Sequence, residues 1–267
     1  MLGETKVNGL FDLSGQTILV TGGTSYLGTA MCHALAEYGA NVVIASRNLD
    51  KCTLLAETLT QTYSGKHIGL QLDVLDGQSV TAGVERTIQQ YGRIDALINN
   101  ANVSSPGFVE SFTEEQWEKG IDGTINAVFR CTRAVLPYML EEGKGTILNI
   151  ASMYGVVSPN PEIYGTSGQN NPANYGAGKA AIIQFTRYLA CHYGRKGIRA
   201  NAISPGPFPN EQTQQNKEFI AQLSNKTALG RIGLPDELKG AVLLLISSAG
   251  SYITGQNLAV DGGWTAW

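Results

Sequence analysis

Charge is scarce in this chain: Asp, Glu, Lys and Arg make up 15% of its 267 residues, and the formal net charge is −3. With no basic field to draw nucleic acid or anionic lipid, neither partner is expected. Long apolar runs are also missing, and none reaches the ~20 residues that cross a bilayer. The opening MLGETKVNGLFDLSGQ lacks the basic segment and apolar core of a secretory signal, so cytoplasmic residence is the expectation. Cysteine is sparse, and Cys32, Cys52, Cys131 and Cys191 form no CxxC pair. All four fall in helix-like segments, where buried free thiols are expected. His33, His67 and His192 are dispersed, so no metal site is expected. A hydrophobic content of 43% suits a folded protein with a substantial core.

What the chain does have is a regular alternation of short apolar runs with longer amphipathic segments. Strands are expected near 16–21, 41–45, 68–72, 95–98, 146–150, 198–203 and 257–260. Helices are expected near 27–38, 50–63, 76–91, 113–141, 175–194 and 235–247. The strand-like runs are almost continuously apolar, as strands covered on both faces are. The fold class is therefore α/β: a Rossmann-type, doubly wound parallel sheet of about seven strands with helices on both faces. No linker divides the chain, so residues 1–267 read as one domain with a short lead over 1–13. Two Pro-, Gly-, Asn- and Gln-rich stretches, 153–174 and 207–226, follow strand ends at the rim where open α/β sheets bind ligands. Surface insertions of no function have the same composition.

The run Ile18-Leu19-Val20 ends in Thr21-Gly22-Gly23-Thr24-Ser25-Tyr26-Leu27-Gly28 and then an amphipathic segment. Strand, glycine-rich turn and helix open a dinucleotide-binding unit, with backbone N–H groups at the helix start facing a pyrophosphate. Tyr26 stands where a middle glycine is usual, so position 26 needs an ordinary backbone conformation and a side chain turned away. A turn with no ligand has the same features. At the end of the second strand, Ser46-Arg47 replaces the carboxylate that bonds the ribose of NAD. A guanidinium there suits a 2′-phosphate, which favours NADP(H) over NAD(H), although a solvated arginine is the plainer alternative. Further on, Tyr175 and Lys179 lie four residues apart on one helical face. An ammonium beside a phenol lowers its pKa towards the range useful for proton transfer. Ser152, after a strand end, adds a hydroxyl, whereas Tyr164 has Gly168 and no lysine at the equivalent spacing and reads as a loop or pocket residue.

In order along the chain come TGxxxxxG at 21–28, LeuAspVal at 72–74, AsnAsnAla at 99–101 and AsnIleAlaSer at 149–152. TyrxxxLys at 175–179, IleArgAlaAsnAlaIleSerProGly at 198–206, GlyArgIleGlyLeuPro at 230–235 and ThrGlyGln…ValAspGlyGly at 254–263 follow. From about 13 to 263 the chain resembles the short-chain dehydrogenase/reductase family, in its shorter single-domain branch. The resemblance implies Tyr175 as general acid/base, Lys179 as its partner and a contact to the nicotinamide ribose, and Ser152 as a hydrogen-bond partner of the substrate oxygen. It implies coenzyme contacts from Gly22, Thr24, Ser25, Tyr26, Leu27, Ser46, Arg47, Asp73, Val74, Asn99, Ala101, Pro205, Gly206 and Phe208. Hydride would pass between the nicotinamide and a carbonyl carbon as Tyr175 moves the proton. Family members are commonly homotetramers or dimers.

Three positions depart from that pattern: Tyr26, Asn102 in place of a glycine, and Thr124 in place of a helix asparagine in a proton relay. Asn126 lies on a different helical face from position 124 and is no simple substitute. The stretch between Ser152 and Tyr175 is about twice the family length and carries Tyr164, Thr166, Ser167, Gln169, Asn170 and Asn171. Amide and hydroxyl groups there suit a small polar substrate, a keto-sugar or sugar alcohol. A 3-oxoacyl or steroid-type ketone, or a coenzyme-binding regulatory module of weak activity, is the alternative. The 207–226 stretch reads as a lid over the substrate.

Overall fold

The apolar runs are strands because each sits between two helical layers, with β-branched and aliphatic side chains filling both faces. In the computed structural model, which describes residues 6–104, 107–165 and 170–267, they are β1 (Thr17–Thr21), β2 (Asn41–Ser46), β3 (Ile68–Gln71), β4 (Ala96–Asn99), β5 (Gly145–Ile150), β6 (Ile198–Pro205) and β7 (Asn257–Val260). They form one sheet in the order β3-β2-β1-β4-β5-β6-β7, every pair parallel. The helices are α1 (Val7–Leu10), α2 (Tyr26–Glu37), α3 (Leu49–Thr62), α4 (Gly77–Tyr91), α5 (Glu114–Ile121), α6 (Ala127–Glu141), α7 (Ala173–Tyr193), α8 (Glu211–Gln214), α9 (Lys217–Asn225) and α10 (Lys239–Ile246).

The alternation of side chains along β1 shows how the two cores are divided. Ile18 and Val20 pack with Met31 and Leu35 of α2 and Val242 of α10 on one face. Leu19 points the other way, into a core with Val84 of α4, Val135 of α6 and Leu189 of α7. Strand β1 pairs with β2 on one side and β4 on the other, so the chain's winding reverses there and opens a crevice at the strands' C-terminal ends.

The single helix expected over 113–141 is interrupted. A π-helical turn, Asp122–Asn126, separates α5 from α6. Val103, just after β4, donates its N–H to the Gly123 carbonyl at 3.0 Å, and a side chain at Gly123 would collide with the Val103 carbonyl. A segment from outside thus takes a carbonyl from the helical ladder, a known cause of such bulges. The 207–226 stretch carries helices α8 and α9, capped by the side chains of Asn210 and Asn216. Cys32, Cys52 and Cys131 are buried as expected, but Cys191 is exposed because it follows the inward-facing Leu189 and Ala190 onto the outer side of α7.

Asp95 fixes the start of the central strands. Its carboxylate is buried, accepts the Thr17 N–H at 2.9 Å and pairs with Arg93 through both oxygens. Replacing Asp95 with Ala leaves the Thr17 N–H unpaired, and the expected loss in urea denaturation is about 2–3 kcal/mol. A loss below ~0.5 kcal/mol would show that the pair does not hold the strands.

Candidate active site

The glycine-rich turn is knitted to the loop after β4. Gly22 has φ +63°, and a Cβ on it would lie 2.9 Å from the Ala101 Cα. Asn100 donates through its amide to the Thr21 and Gly22 carbonyls at 3.1 and 2.9 Å. Thr21 Oγ1 accepts the N–H groups of Asn100 and Ala101. Ser25 caps α2 by accepting the Gly28 N–H, which leaves the N–H groups of Tyr26 and Leu27 without an intrahelical partner. Gly28 is obligatory, because a Cβ there would meet the Gly22 carbonyl oxygen at 2.2 Å. Tyr26 needs no glycine: no described residue other than glycine has a positive φ, and its ring turns towards α8.

Beside this turn lies a cavity of about 460 Å³, whose walls include Thr24, Ser46, Arg47, Lys51, Asp73 and Val74. Thr24 Oγ1 donates to Ser46 Oγ at 3.0 Å, fixing the strand end against the turn. Asp73 is oriented locally, accepting the Leu75 N–H. Lys51 was not singled out by the sequence reading, although the Asn48 cap, which accepts the Lys51 N–H, places it in the first turn of α3 next to Arg47. Two cations, a hydroxyl and a helix N-terminus, with no carboxylate at the end of β2, make a donor set that fits a phosphorylated dinucleotide. Gly22, Ser25, Ala101 and Asn102 share the wall. Asn99 does not: it is buried under the sheet's end, donating to Asn149 Oδ1 at 2.8 Å and Thr132 Oγ1 at 3.2 Å. Pro205 and Gly206 close β6, where Gly206 donates to the Val260 carbonyl, and the Phe208 ring packs on Gly233.

Strand β5 and helix α7 bring Ser152, Tyr175 and Lys179 together. Ser152 caps the turn Met153–Gly155, accepting the Tyr154 N–H, and its hydroxyl is close enough to the Tyr175 phenol to oppose the rise in that group's pKa. Gly155 lets that turn touch α7, since a Cβ there would lie 2.8 Å from the Lys179 carbonyl carbon. Lys179 is buried; its Nζ donates to the Ile150 carbonyl at 2.7 Å and sits 5.5 Å from the Tyr175 ring centroid. Burial pulls the ammonium down from 10.5 to about 8. The phenol moves opposite to expectation: burial holds it above its ordinary value, with the Ser152 hydroxyl opposing. At neutral pH Tyr175 is therefore a protonated donor.

Thr124 is buried between α7 and its own helix. Its hydroxyl donates to the Gly120 carbonyl at 2.8 Å, and it fits because residue 178 has no side chain; a Cβ there would lie 2.0 Å from Oγ1. It makes no hydrogen bond to Lys179, whose Nζ goes to Ile150. Asn126 instead donates to Asp122 on the outer side.

A second cavity, about 730 Å³, is walled by Phe108, Tyr154, Val156, Tyr164, Asn170 and Asn171 among others. Tyr154 belongs to that wall and packs in one cluster with Tyr175. Its phenol is raised by burial and by the neighbouring Tyr164 phenol, and its ring meets Trp264 edge-on at 6.3 Å. Tyr164 stacks on Phe219 of α9 at 5.8 Å. The sequence reading missed Tyr154, Phe219 and Trp264, which come together only through tertiary contacts. Asn170 donates to the Gly107 carbonyl and so holds the loop. Thr166, Ser167 and Gln169 lie outside the described residues.

A family model described as enoyl-(acyl carrier protein) reductase matches residues 22–265. The 3-oxoacyl-acyl-carrier-protein reductase FabG of Thermotoga maritima is 35% identical over 255 residues, 94% of this chain and 98% of that protein. The gluconate 5-dehydrogenase of Gluconobacter oxydans is 37% identical over 265 residues, 96% of this chain and 97% of that protein. Among solved structures, a gluconate 5-dehydrogenase from Burkholderia cenocepacia J2315 in complex with NADP and tartrate superposes with a TM-score of 0.88 at 30% identity, covering 98% of this chain and 100% of that one.

The buried ammonium makes stability depend on pH. The folded chain releases this proton near 8 and the unfolded chain near 10.5, so between those values the unfolded state binds more protons and stability rises with pH. The gap amounts to about 3 kcal/mol. Lys179→Met is expected to raise the unfolding free energy at pH 7 by about 2 kcal/mol, allowing for the lost bond to Ile150. It should also flatten this rise relative to wild type. Urea titrations at pH 7 and pH 10 test both; equal slopes for the two proteins would refute the assignment.

Proposed function

The chain belongs to the short-chain dehydrogenase/reductase family of oxidoreductases, and within it we propose an NADP(H)-dependent enzyme that interconverts a carbonyl and a secondary alcohol on a small polar substrate, a keto-sugar or sugar alcohol. The observation that carries this reading is the meeting of Ser152, Tyr175 and Lys179 at the end of β5. The bound nicotinamide supplies or accepts the hydride. In reduction, Ser152 orients the carbonyl oxygen and the Tyr175 phenol gives it a proton, so hydride and proton together make the alcohol. Oxidation reverses both transfers. The Lys179 ammonium would stabilise the phenolate left behind and would help hold the coenzyme ribose. Thr124 packs behind Lys179 in place of a relay asparagine.

Arg47, Lys51 and Ser46 would take the 2′-phosphate, and Tyr26 and Leu27 would offer N–H groups to the pyrophosphate. Gly22, Thr24, Ser25, Asp73, Val74 and Ala101 would line the adenosine end, with Pro205, Gly206 and Phe208 at the nicotinamide end. Tyr164 would contact substrate. A 3-oxoacyl substrate is the second reading, favoured by the aromatic wall of Tyr154, Tyr164, Phe219 and Trp264 and by the name of the Thermotoga relative. No helix among the described residues is long and apolar enough to cross a membrane. Exposed Phe129 and Tyr188 on α6 and α7 support a homodimer or homotetramer, which light scattering can check.

Nicotinamide absorbance with a panel of keto-sugar acids and 3-oxoacyl thioesters decides the substrate class. The proposal expects keto-sugar turnover at least tenfold faster in kcat/KM, and the reverse order would transfer the assignment. NADPH binding without turnover across the panel would favour a regulatory module. Tyr175→Phe is expected to lower kcat by about 10²–10⁴ with NADPH affinity kept within a few-fold. Arg47→Asp should weaken NADPH binding at least tenfold while sparing NADH, measured by fluorescence titration. Unchanged NADPH affinity would reject the coenzyme choice.

A further inference from the structure

Strand order sets up the geometry of the 207–226 segment. It leaves β6 after Gly206, and its first helix ends at the β1–α2 turn, three strand positions away across β5 and β4. At neighbouring strand spacings of about 4.8 Å, that path runs the width of the C-terminal rim between the turn and the end of β6. It is fastened at both sides. Gln214, the last residue of α8, donates its Nε2 to the Tyr26 phenol oxygen at 3.1 Å and to the Pro209 carbonyl at 2.8 Å. On the other side, Phe219 of α9 stacks on Tyr164 of the 153–174 loop.

The partner at the first fastening is the residue that stands in place of the usual middle glycine. A glycine at 26 would give the same backbone path and the same free N–H, but nothing for Gln214 to hold. The phenol therefore adds a contact that the turn itself does not need, and that contact joins the proposed pyrophosphate loop to the segment facing the substrate.

We propose that Tyr26 is a positioning residue: through Gln214 it latches the 207–226 segment to the turn beside the coenzyme groove and slows coenzyme exchange. This rests on the reading that the 21–28 turn holds a dinucleotide. Opening the segment on the side of the turn must first break the Tyr26–Gln214 bond, and neither residue belongs to the wall of the 730 Å³ cavity.

Two readouts test this on the full-length protein. In ligand-free protein, trypsin cleavage after Lys217, at the start of α9, reports opening of the segment. Stopped-flow release of NADPH reports the exchange rate. Tyr26→Phe and Gln214→Ala are each expected to speed cleavage and NADPH release about fivefold, the factor of one neutral hydrogen bond. The double variant should be no faster than the quicker single one, because both remove the same bond. Cleavage and release within twofold of wild type for Tyr26→Phe would overturn the latch, as would additive effects in the double variant. Wild-type protein that binds no NADPH would remove the coenzyme reading, while the trypsin cycle would still decide whether the bond holds the segment.

Discussion

A lysine ammonium buried at the C-terminal edge of the sheet, 2.7 Å from the Ile150 carbonyl, constrains the elements around it more than any other contact. Burying that charge is unfavourable, as its lowered pKa records. The charge is tolerated because β5 stops where a carbonyl can face it. Two glycines bring the flanking parts close: Gly155 seats the Ser152 turn on α7, and Gly178 admits Thr124 behind the lysine. Farther along α7, Thr186 accepts from Asn149, which itself accepts from Asn99, so a buried polar chain ties the helix to β5 and β4. With α7 anchored at both points, the phenol of Tyr175 has little freedom except to meet Ser152. Preorganisation of this kind is obtained by accepting a locally unfavourable burial.

The parts legible in the sequence are those whose cause is local. Continuous apolar runs such as Ile18-Leu19-Val20 mark strands covered on both faces, and a four-residue spacing is enough to put Tyr175 and Lys179 on one side of a helix. The parts that were not legible depend on a distant segment. Nothing near 122–126 announces a π-turn; it arises because Val103, following another strand, takes the Gly123 carbonyl. The rise of the Tyr175 pKa likewise comes from the surroundings that fold over it, which outweigh the Ser152 hydroxyl. Asn99 sits in the expected motif, but its amide turns inward to Asn149, and the residues after it form the wall. One omission was avoidable: Asn210 and Asn216 are N-cap residues, each followed by an acidic residue within two positions, and they signal α8 and α9.

The departures from the family pattern are matched by changes across from them. Thr124 occupies its niche because residue 178 carries no side chain, and its hydroxyl is satisfied by Gly120 of its own helix. Tyr26 keeps an ordinary backbone and sends its ring to Gln214. Asn102 lines the coenzyme cavity, in a loop whose next residue braces the π-turn. Thr124 and Tyr26 thus each have a definite partner, which is the pattern expected of a site that works with different parts and not of one losing its function.

Selectivity on the substrate side follows from how the polar groups there are committed. Asn160 caps a turn and Asn170 holds the Gly107 carbonyl, so these amides shape the loop and do not face the cavity as free donors. The aromatic part of the wall is Tyr154, backed by Trp264, and Tyr164, backed by Phe219. Apolar faces discriminate weakly, by a factor of about 10–200 for a methylene, whereas hydrogen-bonding groups reject a partner lacking the matching atom far more strongly. Flat rings accept the apolar face of a sugar as readily as an acyl chain. The choice between the two therefore rests on the few hydroxyls at this boundary, those of Ser152, Tyr154 and Tyr164. On the proposed reading, a polyhydroxylated substrate extends their hydrogen-bond network, while an acyl chain lies beside it unmatched.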